Sequence, residues 1–192
     1  MLNKFEKYKD EDLIIELKSD KKSSDMAFLV IYNRYSQQVY FYCLKVTGDE
    51  DTAKDIFQEV FIKFVDYALK SENMTSIKNY LIKIARSIWL ESKKHNYNEV
   101  VLDLDIHNFG TEFHTFYDDE AKNDLNNYID NCLNLLDEDE KEVIIMRQFQ
   151  DMSYIEIEEI TGISIKTCRM KYYRAKEKLK NMLTVYYDKN KQ

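Results

Sequence analysis

Apolar side chains recur at intervals of three and four along most of this chain, which is the period of a helix with one buried face. Phe28, Ile31, Tyr32, Tyr35, Val39, Tyr42, Cys43 and Val46 make one such stripe between about residues 25 and 46. Ala53, Ile56, Phe57, Val60, Phe61 and Phe64 make the next, and Leu81, Ile84, Ala85, Ile88 and Trp89 a third, over about 77–94. Between the first two, "TGDED" (47–51) breaks the pattern. Gly48 suits a helix end and Asp49 an N-cap. "SENMTS" (71–76) reads as a polar loop, and a short helix near 11–17 precedes the bundle. Residues 96–118 have no clean period and read as a linker, after which helices resume over about 119–136.

The last third is patterned more tightly. Asp137 and Glu140 are spaced as a capping box before an apolar run, and Ser153 and Glu156 as a second one. The helix opened by Ser153 should stop at Gly162, where a left-handed residue fits. Ser164 then caps a further helix whose buried stripe is Ile165, Cys168, Tyr172, Ala175, Leu179 and Met182. A short helix, a Gly-containing turn and a second helix predict a helix-turn-helix. The expected fold is therefore all-α. It comprises two small helical domains, 1–95 and 119–192, joined by the linker 96–118.

Composition supports helices and little else. The chain has 192 residues, no Pro and only three Gly, too few turn residues for a sandwich or barrel. No apolar run reaches the roughly 18–20 residues that would span a bilayer, and the first residues do not look like a signal peptide. Three isolated cysteines suggest no disulfide framework. No membrane insertion is expected, and the location expected is cytoplasmic.

Charge changes the picture. The chain carries −7 overall, yet residues 101–140 hold 12 acids against one base, whereas residues 164–181 hold seven bases against one acid. An acidic protein has put its strongest positive field on one helix. That distribution suits a recognition helix, with cations for phosphates and first turns able to reach base edges. With Ile165, Cys168 and Tyr172 buried, Lys166, Thr167, Met170, Lys171 and Arg174 should face a major groove, with Arg169 beside them and Ser164 offering backbone N–H groups to a phosphate. A merely solvated basic face is the plainer alternative.

At these residues the sequence resembles a family. "SYIEIEEITGISIKTCRMKYYRAKEKL" (153–179) is similar to region 4.2 of bacterial sigma factors, above all the small extracytoplasmic-function (ECF) group. "FLVIYNRYSQQVY" (28–40), "TGDEDTAKDIFQEVF" (47–61) and "IKNYLIKIARSIWLESKK" (77–94) resemble region 2. The resemblance implies a factor that binds core RNA polymerase and directs promoter-specific initiation. It implies polymerase binding by Asp55, Gln58, Glu59 and Lys63, on the polar face of the second long helix. It implies that the loop 71–77, with Asn73, and the following helix handle the minus-ten region of promoter DNA. In that helix Lys78, Lys83, Arg86, Lys93 and Lys94 would serve the strand backbone, and Tyr80 or Trp89 stacking or core packing. The acidic linker would lie in basic channels of the polymerase or be simply solvated. An anti-sigma factor or a recruiting DNA-bound protein is a further partner class left open.

Three positions depart from the family pattern: Tyr80 stands where Trp is usual, Ser87 where Asn is usual and Glu91 where Asp is usual. These departures put autonomous promoter melting in doubt. No catalytic constellation is visible, so no enzyme and no cofactor are expected. His107 and His114 near Asp103 and Asp105 lack zinc-site spacing, so no metal is expected. The rivals are an autonomous dimeric helix-turn-helix regulator and, more remotely, a helical metallohydrolase.

Overall fold

The computed structural model describes residues 2–70, 74, 76–95 and 120–189, and these are helical with short turns. Helices α1 (Leu2–Phe5) and α2 (Asp10–Leu17) lead into three long ones: α3 (Lys21–Thr47), α4 (Glu50–Lys70) and α5 (Ile77–His95). The second half holds α6 (Glu120–Asn134), α7 (Glu138–Ile144) with a π-helical continuation (Ile145–Phe149), α8 (Tyr154–Thr161) and α9 (Ile165–Lys189). No strand occurs among the described residues. No described helix is long and apolar enough to cross a membrane.

Local chemistry accounts for the boundaries. Helix α3 starts at Lys21, earlier than its apolar stripe, because the Asp20 carboxylate accepts from the backbone of Lys22 and Ser23 at 3.0 and 3.3 Å. It ends at Gly48, in the left-handed region at φ 71°. Asp49 accepts from the Thr52 backbone at 2.8 Å and opens α4. The Ser153–Glu156 capping box forms as expected, with the Ser153 amide donating to Glu156 Oε2 at 2.7 Å. Asp137 and Glu140 do not form theirs. Asp137 accepts from the Asp139 backbone instead, while Glu140 turns inward to Lys178 at 2.6 Å. An ammonium within reach outcompetes a backbone amide for that carboxylate.

The periodic stripes become the core. Ile31, Val39 and Tyr42 of α3, Ala53, Val60 and Phe64 of α4, and Leu81, Ile82 and Ala85 of α5 are fully buried. Trp89 is buried with them, so its role is packing. Asp10 ties the entry helices down. It accepts from Arg34 at 3.0 Å and Tyr35 at 2.6 Å, and it caps the first amide of α5, Ile77, at 3.2 Å. The second half does not build a separate core. Val143, Ile145, Met146, Met152, Ile157, Ile160 and Cys168 belong to the same buried cluster as α3–α5, and a small satellite cluster gathers Leu133, Leu136, Ile144 and Ala175. The predicted linker 96–118 lies outside the described residues, as do His107, His114, Asp103 and Asp105. Among the described residues no group of three His, Cys, Asp or Glu side chains could hold a metal ion.

Candidate nucleic-acid interface

The helix-turn-helix is built from its turn outward. Gly162 sits at φ 74°, and its amide closes α8 on the carbonyl of Glu158 at 2.8 Å. The Glu158 carboxylate then accepts from the Ile165 amide at 3.0 Å, so one residue fastens the end of α8 to the start of α9. Ser164 caps α9 through the Thr167 amide at 3.3 Å, and the two hydroxyls lie 2.9 Å apart. Cys168 and Ala175 are fully buried, and Tyr172 packs edge-on against Tyr154. Arg147 and Arg169 both lie over the Tyr154 ring, at 5.4 and 5.6 Å from its centre.

With that face inward, Ser164, Lys166, Arg169, Met170, Arg174 and Lys176 are exposed, and Thr167 is half-buried under the cap. Among the described residues no ion pair engages Lys166, Arg174 or Lys176. Lys171 is placed differently. It is 22% exposed and pairs with Asp139 at 2.9 Å and Asp137 at 3.6 Å. Its hydrogen bond to Asp139 raises its pKa against the opposing pull of burial. Tyr173, 66% exposed beside Met170, is a contact candidate that the stripe argument passed over.

Helix α5 carries the second set of predicted DNA contacts, and the structure engages most of it. Lys78 Nζ donates to the Gln150 carbonyl at 2.8 Å. Arg86 grips Glu142 with two bonds, at 2.6 and 3.2 Å, and Lys93 pairs with Glu138. Burial would lower the Arg86 pKa, but the hydrogen bond and charge of Glu142 outweigh it and the net shift is upward. Tyr80 stacks on Tyr67 with centroids 4.3 Å apart. Burial, followed by its hydrogen bond with Tyr67, pushes the Tyr80 phenol up to about 12. Lys83 and Lys94 remain exposed. Asn73 lies outside the described residues. Ser87 and Glu91 line a shallow cleft with Lys83, Arg86, Leu90, Lys94 and Ile160.

The outer face of α4 presents Asp55 and Gln58 exposed, with Glu59 bonded to Lys63 at 2.7 Å and Lys63 within 3.8 Å of Glu91. Ile62 joins them, 51% exposed. Positions 55, 58, 59 and 62 follow the helical period, so the sequence did contain this signal: an apolar residue off the core stripe.

Comparisons with known proteins agree with this geometry. A family model described as Sigma-70 region 2 matches residues 31–97, and one described as Sigma-70, region 4 matches residues 126–179. Together they take in more than half of the chain. The chain is 26% identical to the ECF RNA polymerase sigma factor SigW of Bacillus subtilis over 87% of its length and 94% of that protein. It is 29% identical to the RNA polymerase sigma factor SigV of the same organism, over 85% and 96%. The fold is similar to that of the sigma factor RpoE in its co-crystal structure with the anti-sigma factor NepR from Bartonella quintana. The TM-score there is 0.61 at 20% identity, covering 80% of this chain and 94% of that one. With both regions present in order and the helix-turn-helix formed between α8 and α9, the chain belongs to the sigma-70 family of RNA polymerase sigma factors, in its ECF group.

Proposed function

We infer that this chain binds core RNA polymerase and directs it to promoters as an ECF sigma factor. The observation that carries the reading is the pairing of the two sigma regions with an exposed basic face at the start of α9. In this reading it is a non-enzymatic regulator acting in the cytoplasm. Residues 1–95 and 119–192 are its region 2 and region 4 units, packed on one shared core, and 96–118 its acidic junction. Asp55, Gln58, Glu59, Lys63 and the neighbouring Ile62 meet the polymerase. Ser164, Lys166, Thr167, Arg169, Met170, Lys171 and Arg174 meet the upstream promoter element. The residues of the 71–77 loop and α5 meet the minus-ten strand, with an anti-sigma factor or recruiting protein as further partner.

Co-purification with core RNA polymerase, followed by footprinting of the complex on promoter DNA, tests this. The expected result is stoichiometric capture that is lost when Asp55 and Glu59 are both replaced by Lys, with the helical fold retained. Tight operator binding by the chain alone, with no capture of polymerase, would instead identify an autonomous helix-turn-helix regulator.

A further inference from the structure

Helix α8 carries three acids, and each is placed differently. Glu156 closes the capping box with Ser153 and accepts from Asn79 Nδ2 of α5 at 2.8 Å. Glu159 faces solvent. Glu158, half-buried, serves the turn into α9 twice. Its backbone carbonyl accepts from the Gly162 amide at 2.8 Å, and its carboxylate accepts from the Ile165 amide, the first of α9, at 3.0 Å. The rest of the turn is satisfied from within as well. The Ile163 amide donates to Thr161 Oγ1 at 3.1 Å, the Thr167 amide to Ser164 Oγ at 3.3 Å and the Cys168 amide to the Ser164 carbonyl at 2.8 Å. Cys168 Sγ donates to the Ile163 carbonyl at 3.2 Å. Burial first, and the Glu158 charge second, raise the pKa of that thiol and keep it a donor.

Amides at the start of a helix are what it ordinarily offers to a phosphate. A helix as long as α9, 25 residues, puts roughly half a positive charge at that end, so an anion is favoured there. A charged acceptor also holds an N–H more strongly than a neutral one. Here the anion is part of the protein. A phosphate approaching the first amide of α9 meets a donor already bonded and, in Glu158, a charge of its own sign. Lys166 and Arg169, close by on the same helix, are exposed cations. The start of α9 therefore attracts DNA through its side chains rather than through the Ile165 amide.

We propose that Glu158 is a positioning residue for promoter reading: its carboxylate stands where a DNA phosphate would sit at the start of α9 and fixes the pose of that helix from inside the protein. The proposal rests on the reading of α9 as the reader of the upstream element. A phosphate contact tightens every sequence alike, whereas a fixed helix improves only the contacts made to the correct bases. Filling the site internally gives up sequence-independent affinity and keeps discrimination. That exchange suits a factor that polymerase holds on DNA.

The test separates the charge of Glu158 from its reach. Glu158→Gln keeps an acceptor for the Ile165 amide and removes the charge. Glu158→Asp keeps the charge on a side chain one methylene shorter, which draws it back from that amide. Holoenzyme assembled with core polymerase is titrated by anisotropy against two labelled duplexes, at salt concentrations between about 50 and 200 mM. One duplex is the promoter defined by its footprint, and the other is the same promoter with the upstream element scrambled. Glu158→Gln is expected to bind both duplexes more tightly, by up to about tenfold near 0.1 M salt, with a salt slope steeper by up to about one unit. The ratio between the two duplexes should stay as in the wild type. Glu158→Asp is expected to bind the promoter no more tightly than the wild type and to lose severalfold of that ratio. Thermal denaturation shows whether each variant is folded. Unchanged affinity and slope in Glu158→Gln, or a wild-type ratio in folded Glu158→Asp, would overturn the proposal. If Glu158→Asp unfolds, Glu158→Gln decides alone. Equal binding of the two duplexes by the wild-type holoenzyme would overturn the reading of α9 and the proposal with it. Wild-type discrimination with unchanged variants overturns the proposal only.

Discussion

Helices α5 and α9 carry similar cationic side chains and meet opposite fates. On α5, Lys78, Arg86 and Lys93 are all engaged by the second half of the chain, and Arg86 is largely buried. On α9, Lys166, Arg174 and Lys176 stand in solvent, while Lys171 and Lys178 are drawn back onto α7 through Asp139 and Glu140. The lesson concerns availability. A count of Lys and Arg on a helix face measures its potential to bind nucleic acid. Only the neighbours decide how much of it is exposed.

That contrast can be broken most directly at two arginines. Arg86→Ala leaves the Glu142 carboxylate buried without its cation, a loss of about 3–5 kcal/mol for a buried pair. Arg174→Ala removes a solvated side chain and should change stability by no more than about 0.5 kcal/mol. Urea denaturation of the two variants measures the difference, and equal losses would mean that the α5 contact does not persist in solution.

A smaller effect sharpens the contrast within α9. In transcription assays on promoters varied in the upstream element, Arg174→Ala should cost about 1–3 kcal/mol of discrimination if it reads a base edge. Lys171→Ala should cost less, because Asp137 and Asp139 already hold that ammonium and DNA must compete for it. A lysine that contacts phosphate only would weaken all promoters alike and reduce the salt slope by about one unit. A larger loss for Lys171 than for Arg174 would reverse the order of exposure seen here.

Smallest, and independent of DNA, is the turn between α8 and α9. A Cβ on Gly162 would meet nothing within 4 Å, so Gly162→Ala carries only the left-handed backbone penalty. The expected loss is about 1–2 kcal/mol of stability, measured by thermal denaturation. Gly48→Ala adds contacts of 3.2 and 3.3 Å with the Asn134 amide and should cost more.

Much of this molecule was legible residue by residue. The three stripes of the first half, the Gly48 and Gly162 stops, the Ser153–Glu156 box and the inward face of α9, buried at Cys168 and Ala175 and half-buried at Ile165, Tyr172, Leu179 and Met182, all rest on interactions within a few positions. Local spacing is enough to reveal such features. Trp89 also followed from its place on a stripe. Where local signals competed, reading them failed: Asp137 and Glu140 have capping-box spacing, but Lys178, 38 positions from Glu140, takes that carboxylate.

One hint of the α5 contact was present. Glu142 sits beside "VIIM" at a position that the helical period turns toward the core, and an acid there calls for a partner. What the sequence could not supply was the partner's name. Arg86 lies 56 positions away and Glu156 lies 77 from Asn79. Periodicity and caps are properties of neighbours on one helix, so by themselves they determined the helices, their inward faces and the place of each cation. Whether a cation meets water, a carboxylate or DNA depends on how helices from the two halves are brought side by side, and that the tertiary structure alone decided.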